Sequence, residues 1–307
     1  MNLIDQQSEE FIPRHIGTIG DEKEMLNTIG EESLENLINK TIPASIRLEA
    51  RLAVPPAIGE SEYLSLVKDM SLKNILYKSY IGQGYYGTIT PSVILRNVFE
   101  NPGWYTQYTP YQAEISQGRL ESLLNYQTMV SDLTGLPIAN ASLLDEATAA
   151  AEGMAMLFHH VNKTDTITRP RFFVDEAIFP QTKDVLLTRA LPIGIELVHG
   201  DFKTATIDDA FFGAIVQYPN DKGSVEDYTA FIEQMHSKNI YVVMATDLLA
   251  LTLLKSPGAL KADVAVGSAQ RFGVPLGYGG PHAAFFATQD EFKRGIPGRI
   301  IGVSIDA

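Results

Sequence analysis

From residue 171 onward, short continuous apolar runs alternate with longer amphipathic stretches. The apolar runs predict strands at 172–174, 195–198, 213–218, 241–245, 264–266 and 283–287. Helical spacing predicts helices at 181–190, 225–238 and 248–254. Strands that are apolar on both faces and alternate with helices imply an α/β fold, with a mainly parallel sheet covered by helices. Upstream, Ile115, Leu120, Leu123, Leu124, Gln127, Val130 and Leu133 fall on one side of a predicted helix at 113–134, which Gly135-Leu136-Pro137 terminates. An alanine-rich helix follows, with Ser142 as its expected N-cap and Asp145-Glu146 in its first turn. Closely spaced alanines let such a helix pack tightly on a sheet.

The first 59 residues read as a helical N-terminal extension. Asp21 and Ser33 are cap candidates, Gly30 and Thr41-Ile42-Pro43 are stops, and Pro55-Pro56 is a rigid connector. A helix at 61–72 then opens a large domain expected to cover 60–307. Between residues 79 and 112 the periodicity breaks at Gly82, Gly84 and Gly87. Six tyrosines (Tyr80, Tyr85, Tyr86, Tyr105, Tyr108 and Tyr111) and Trp104 crowd this stretch beside Thr88, Thr109 and Gln112. Phenols at this density need many hydrogen-bond partners if they are all buried, which favours a site wall or an interface over an irregular core patch.

Composition narrows the function. A net charge of −13 over 307 residues argues against nucleic acid or an anionic membrane as the main partner. The absence of cysteine excludes disulfides and thiolate metal sites and fits a cytoplasmic protein. No apolar run approaches the ~18–20 residues needed to cross a bilayer. The acidic N-terminus resembles neither a secretory signal nor a transit peptide. No P-loop, dinucleotide fingerprint or metal-ligand spacing is present.

Two stretches carry candidate chemistry. Asp247 follows the apolar run YVVMAT, and an acid at the carboxyl end of a buried strand points into the crevice where α/β sheets bind ligands. It could equally cap a helix starting at Leu248. The stretch at 263–287 reads strand, small-residue loop, strand, with Gln270-Arg271 in the loop. The segment at 140–146 would open the alanine-rich helix, where a phosphate could bind backbone N–H groups. Its two carboxylates compete for those same groups.

The runs FIPRHIG, YIGQGYYGT, NPGWYTQYTPYQAEISQGRLE, ANASLLDEATAAAE and GSAQRFGVPLGYGGPHAAFFA resemble the N-terminal part of glycine dehydrogenase (decarboxylating), the P-protein of the glycine cleavage system. RFGVPLGYGGP favours its long single-chain form. The resemblance implies a fold-type-I pyridoxal-phosphate transferase-like large domain, incomplete at its C-terminus. It implies two related halves, of which the C-terminal one carries the Schiff-base lysine and holds most of the pyridoxal 5'-phosphate. Arg271 stands at the lysine-equivalent position, so no catalytic residue is assigned to this chain, and a guanidinium cannot form the imine. Asp247, Gln270 and Ser142 are the implied residues of a degenerate cofactor site. Tyr85, Tyr86, Tyr105, Tyr108, Thr109 and Tyr111 are substrate or interface candidates, and no metal is expected. Phe179 replaces a histidine common among relatives. The implied partners are a lysine-bearing half or chain, lipoylated H-protein and glycine, in a dimeric assembly. The chain is expected to be a fragment without decarboxylase activity of its own. The alternatives are a non-catalytic half that stabilises or regulates a lysine-bearing partner, and an independent ligand-binding protein.

Overall fold

Among the described residues, seven strands form one sheet in the order β1-β7-β6-β5-β4-β2-β3. They are β1 (Ile138–Ala139), β2 (Arg171–Asp175), β3 (Glu196–Gly200), β4 (Phe211–Tyr218), β5 (Tyr241–Asp247), β6 (Val264–Ser268) and β7 (Ala284–Thr288). The computed structural model describes residues 14–15, 17, 20–48, 50, 52–105, 112–163, 167–277 and 281–303. The contiguous pairs from β3 through β2, β4 and β5 to β6 are parallel. β7 and β1 run antiparallel, so the sheet is mixed at one side. β1 has only two residues, too few for any periodic signal to reveal it.

The chain divides into two compact units, Met1–Lys78 and Ser79–Ala307. The first contains α1 (Glu22–Ile29), α2 (Leu34–Thr41) and α3 (Glu60–Ser71). Ser33 caps α2, its side chain accepting from the Asn36 N–H at 3.1 Å. Asp21 makes no side-chain cap bond on α1. The second unit holds the sheet and α4 (Ala113–Thr134), α5 (Glu146–Val161), α6 (Pro180–Ala190) and α7 (Thr229–His236).

Strict alternation within the strands makes two cores. Phe173, Ala214, Val216, Val242, Met244, Ala265 and Phe285 face α4 and α7 residues such as Val130, Phe231 and Met235. Their neighbours Phe172, Ile215, Val243, Ala245, Val266 and Phe286 face Ala150, Met154 and Leu157 of α5. Both faces are therefore dry, as parallel strands under helices require. An exposed position on α4, Gly118, has nothing within 4 Å of an added Cβ. Gly118→Ala is expected to raise stability by about 0.5–1 kcal/mol, through helix propensity alone, in urea melts.

Three helices depart most from the sequence expectation. The alanine-rich helix is capped by Asp145 and not by Ser142. Asp145 accepts from the Thr148 N–H at 2.7 Å, and the Thr148 hydroxyl reaches back to it, closing a capping box. The helix expected at 225–238 starts at Thr229, where Asp227 accepts from the Thr229 N–H and hydroxyl. The helix expected at 248–254 is only a 3-10 turn, Ala250–Thr252. There Asp247 accepts from the Leu249 N–H at 3.1 Å and fixes a tight turn in place of a longer helix.

One partly buried pair ties α7 to the sheet. His236 Nε2 lies 2.9 Å from Asp263 Oδ2, which also accepts from the Val242 N–H at 2.7 Å. The Asp263 hydrogen bond raises the His236 pKa above its ordinary value. A raised histidine pKa gives stability that is complete below the unfolded value and lost as pH climbs through the folded one. His236→Gln is therefore expected to cost more stability at about pH 5.5 than at about pH 8.5, in parallel thermal melts.

Candidate functional site

The carboxyl ends of β4, β5 and β6 open into a cleft of about 170 Å³. Continuing the α5-facing alternation past Ile215, Ala245 and Val266 brings Gln217, Asp247 and Ser268 to its floor. The N-terminus of α5 adds Glu146, and the turn after β6 adds Gln270 and Arg271. Gly84, Tyr86 and Phe179 line it too. The segment carrying Tyr86 is tied down by the hydroxyls of Thr88 and Thr90, which donate to the carbonyls of Val274 and Gly273. Gln181 Nε2 donates to the Gln83 carbonyl at 2.8 Å.

An ion pair dominates the cleft. Arg271 Nη1 donates to Asp247 Oδ2, and the guanidinium stacks 5.3 Å from the Tyr86 ring centroid. Asp247 is thus doubly engaged, one oxygen capping its own turn and the other held by arginine. Glu146 accepts from Gln217 Nε2 at 3.2 Å. Burial pushes its carboxyl up to about 7, the Gln217 bond opposes this, and the negative charges of Asp247 and Asp145 add to it. Burial likewise raises the Tyr86 phenol.

An adjoining cleft shares Gly84 and Glu146 and is walled by Tyr85, Thr182 and His282. Tyr85 and His282 meet edge to face with centroids 4.7 Å apart. Burial lowers the His282 pKa.

The cleft does not fit pyridoxal phosphate. The cation at this cleft is a guanidinium, which cannot form an imine, and it is already paired with the Asp247 carboxylate. The α5 N-terminus, the natural seat for a phosphate, is closed by the Asp145 side chain and carries Glu146 in its first turn.

The model for the family described as "Glycine cleavage system P-protein" matches residues 13–307. The chain belongs to that family. Glycine dehydrogenase (decarboxylating) from Nostoc punctiforme is 56% identical over 308 residues, covering all of this chain and 31% of that protein. The same enzyme from Dechloromonas aromatica is 58% identical over 303 residues, covering 98% of this chain and again 31% of that protein. This member of the P-protein family therefore spans about a third of the length of such relatives. A crystal structure of glycine decarboxylase (P-protein) of the glycine cleavage system, in inhibitor-bound form, superposes with a TM-score of 0.82 at 34% identity. The match covers 93% of this chain and 64% of that one, and the fold is that of fold-type-I pyridoxal-phosphate enzymes. A sphingosine-1-phosphate lyase from Burkholderia pseudomallei shares the fold alone, at 11% identity and a TM-score of 0.59.

Within this P-protein-family chain, Asp247, Gln270, Arg271 and Tyr86 converge on one cleft, and Tyr85 lines the next. Ser142 is exposed and lines neither. Tyr105 is exposed, 61% accessible, and also lines neither. Tyr108, Thr109 and Tyr111 lie outside the described residues. Sequence reasoning missed Gln217 and His282 and read Glu146 only as a competitor for phosphate. Gln217 follows the apolar run AIV just as Asp247 follows YVVMAT, and that parallel was the available signal. Among the described residues, no group of acidic and histidine side chains could hold a metal and no helix is long and apolar enough to cross a membrane.

Proposed function

We propose that the chain is the N-terminal, non-anchoring part of a glycine dehydrogenase (decarboxylating). The complete protein would convert glycine and lipoyl H-protein to aminomethyl-lipoyl H-protein and carbon dioxide. The Schiff-base lysine and most contacts to pyridoxal 5'-phosphate belong to a C-terminal half, in a dimeric assembly. The observation that carries this reading is the Asp247–Arg271 pair at the strand-end crevice. It fills the position from which a lysine would act with a cation that cannot make an imine. No covalent step is assigned to this chain. Its contribution is a folded wall: Tyr85 and Tyr86 on a segment pinned to the β6 turn, with Tyr105, Tyr108, Thr109 and Tyr111 as further residues lent to a shared site or interface. Exposed Tyr80, Ile81, Ile89 and Val93 flank this aromatic stretch and suit burial against a lysine-bearing half.

The test is absorbance in the internal-aldimine band after pyridoxal phosphate is mixed with the purified chain, with and without the lysine-bearing half. Borohydride trapping and release of labelled carbon dioxide from glycine complete it. The band, the trapped adduct and the carbon dioxide are expected only with both parts. A specific adduct and carbon dioxide from the chain alone would overturn the proposal. Stabilisation of the second part without any gain in its turnover would favour a purely stabilising or regulatory half, for which the exposed apolar flank is the supporting observation.

A further inference from the structure

One segment, residues 82–90, serves as a wall of both clefts. Tyr85 lines one, Tyr86 lines the other, and Gly84 lines both. This wall is attached by side chains. Among the described residues, no backbone-to-backbone hydrogen bond joins it to the sheet or its helices. At one end the Gln181 amide donates to the Gln83 carbonyl at 2.8 Å. At the other end the Thr88 hydroxyl donates to the Val274 carbonyl at 3.0 Å, and the Thr90 hydroxyl to the Gly273 carbonyl. Between these ends the Tyr85 ring meets His282 and the Tyr86 ring meets Arg271. None of these segment residues is buried, and none lies in a helix or in the sheet.

The turn that opens the segment is held against its own preference. Gly82, Gln83 and Gly84 have φ of 63°, 52° and 89°. Glycine adopts that region freely, whereas glutamine is strained there. The Gln181 bond lands on the carbonyl of the strained residue. Phe179 backs the same turn, since a Cβ built on Gly84 falls 3.3 Å from its ring. Phe179 and Gln181 stand on either side of Pro180 at the start of α6, so a rigid element supplies the support. One side-chain hydrogen bond favours the attached state by only about two- to tenfold. A half-exposed segment fixed by three of them, with strain opposing, belongs to the part of a fold that opens locally.

We propose that residues 82–90 are a strap that opens as one unit while the rest of the chain stays folded, joining the two clefts into one recess. Closed, the first cleft measures about 170 Å³ and the second about 480 Å³. Open, a ligand too large for the first cleft reaches Arg271 through the second. Opening also lifts Tyr86 off the guanidinium, which then keeps its bond to Asp247. The strap thereby sets both the size of ligand admitted and the state of the cation that meets it. All of its parts lie in this chain, so the device stands whether or not a lysine-bearing half completes the protein.

The chain has no cysteine, so one engineered thiol reports on one position. Gly87 is exposed, lies outside the left-handed region, and has nothing within 4 Å of an added Cβ. Gly87→Cys carrying a trifluoromethyl tag is read by fluorine NMR, with an identically tagged Gly118→Cys on α4 as the reference. Removing all three tethers together (Thr88→Val, Thr90→Val and Gln181→Leu) is expected to populate a second Gly87 signal at least about tenfold more than in the parent. Each tether removed alone is expected to act in the same direction by about two- to tenfold. Gly84→Ala, which strains the turn without removing a tether, is expected to do likewise. The Gly118 signal and the cooperative melt are expected to stay as in the parent. Phenylglyoxal modification of Arg271, followed by peptide mass spectrometry, is expected to quicken in step with the second signal. An unshifted Gly87 signal in a cooperatively melting triple variant overturns the proposal. A second signal that appears equally at Gly118 reports global unfolding and overturns it too. So does a response to Gln181→Leu without one to Thr88→Val, or the reverse, since the segment then does not move as a unit. If the triple variant fails to melt cooperatively, the single variants decide by the same criteria.

Discussion

Gly267→Ala is expected to abolish cooperative folding of the sheet, or at least to lower its thermal midpoint by about 6 °C or more. Gly267 lies in β6, opposite Thr246 of β5 and Phe285 of β7. A Cβ built there falls 1.8 Å from the Thr246 carbonyl oxygen and 2.8 Å from the Phe285 ring. Backbone cannot yield as a side-chain tip can, so two central strands must separate for a single methyl group. Overpacking of this kind costs at least about 3 kcal/mol. Gly302→Ala serves as the control, since nothing lies within 4 Å of its added Cβ. Differential scanning of the two variants side by side reads the difference, and a normal melt for Gly267→Ala would refute the close approach.

Arg271→Ala is expected to destabilise the chain by about 1–3 kcal/mol in urea. Asp247 is the more buried partner, with 14% of its side chain accessible against 35% for Arg271. Losing the cation strands a carboxylate in a cleft that already holds Glu146, and solvent reaching the guanidinium limits the cost. Pairing the change with Asp247→Asn separates the interaction from the loss of packing. The double variant is expected to be less destabilised than the sum of the single ones, because each single change strands a charge and the double change strands none. Additive costs would mean that the pair contributes nothing beyond its individual contacts.

What the sequence disclosed, and what it withheld, follows from the range of the forces involved. Continuous apolar runs such as AIV and YVVM report burial on both faces, and this locates β4 and β5 without knowledge of their neighbours. Asp247 was legible for the same reason, as a polar residue at the end of such a run. Its contact with Arg271, 24 residues away, became visible only once β5 and β6 paired in register. Local hydrogen-bond competition was harder to read. Ser142 and Asp145 are both sound cap residues, and Asp145 won because Thr148 stands three residues on to complete the box. Asp227 shortened one helix and Asp247 suppressed another in the same way. The state of Glu146 could not be read from sequence at all, since it depends on burial and on charges carried by β5.

The antiparallel return of β7 has a consequence for how this region can change over time. Because β7 runs back along β6, the residues leaving one strand and entering the other meet at the same end of the sheet. Arg271 lies just beyond β6 in one cleft, and His282 lies just before β7 in the adjoining one. A single hairpin thus furnishes part of both recesses. An insertion or deletion in it would reshape two compartments together, while the parallel strands β2 to β5 kept their register. Drift in this hairpin is therefore constrained twice over, and the two clefts are heritable as one unit.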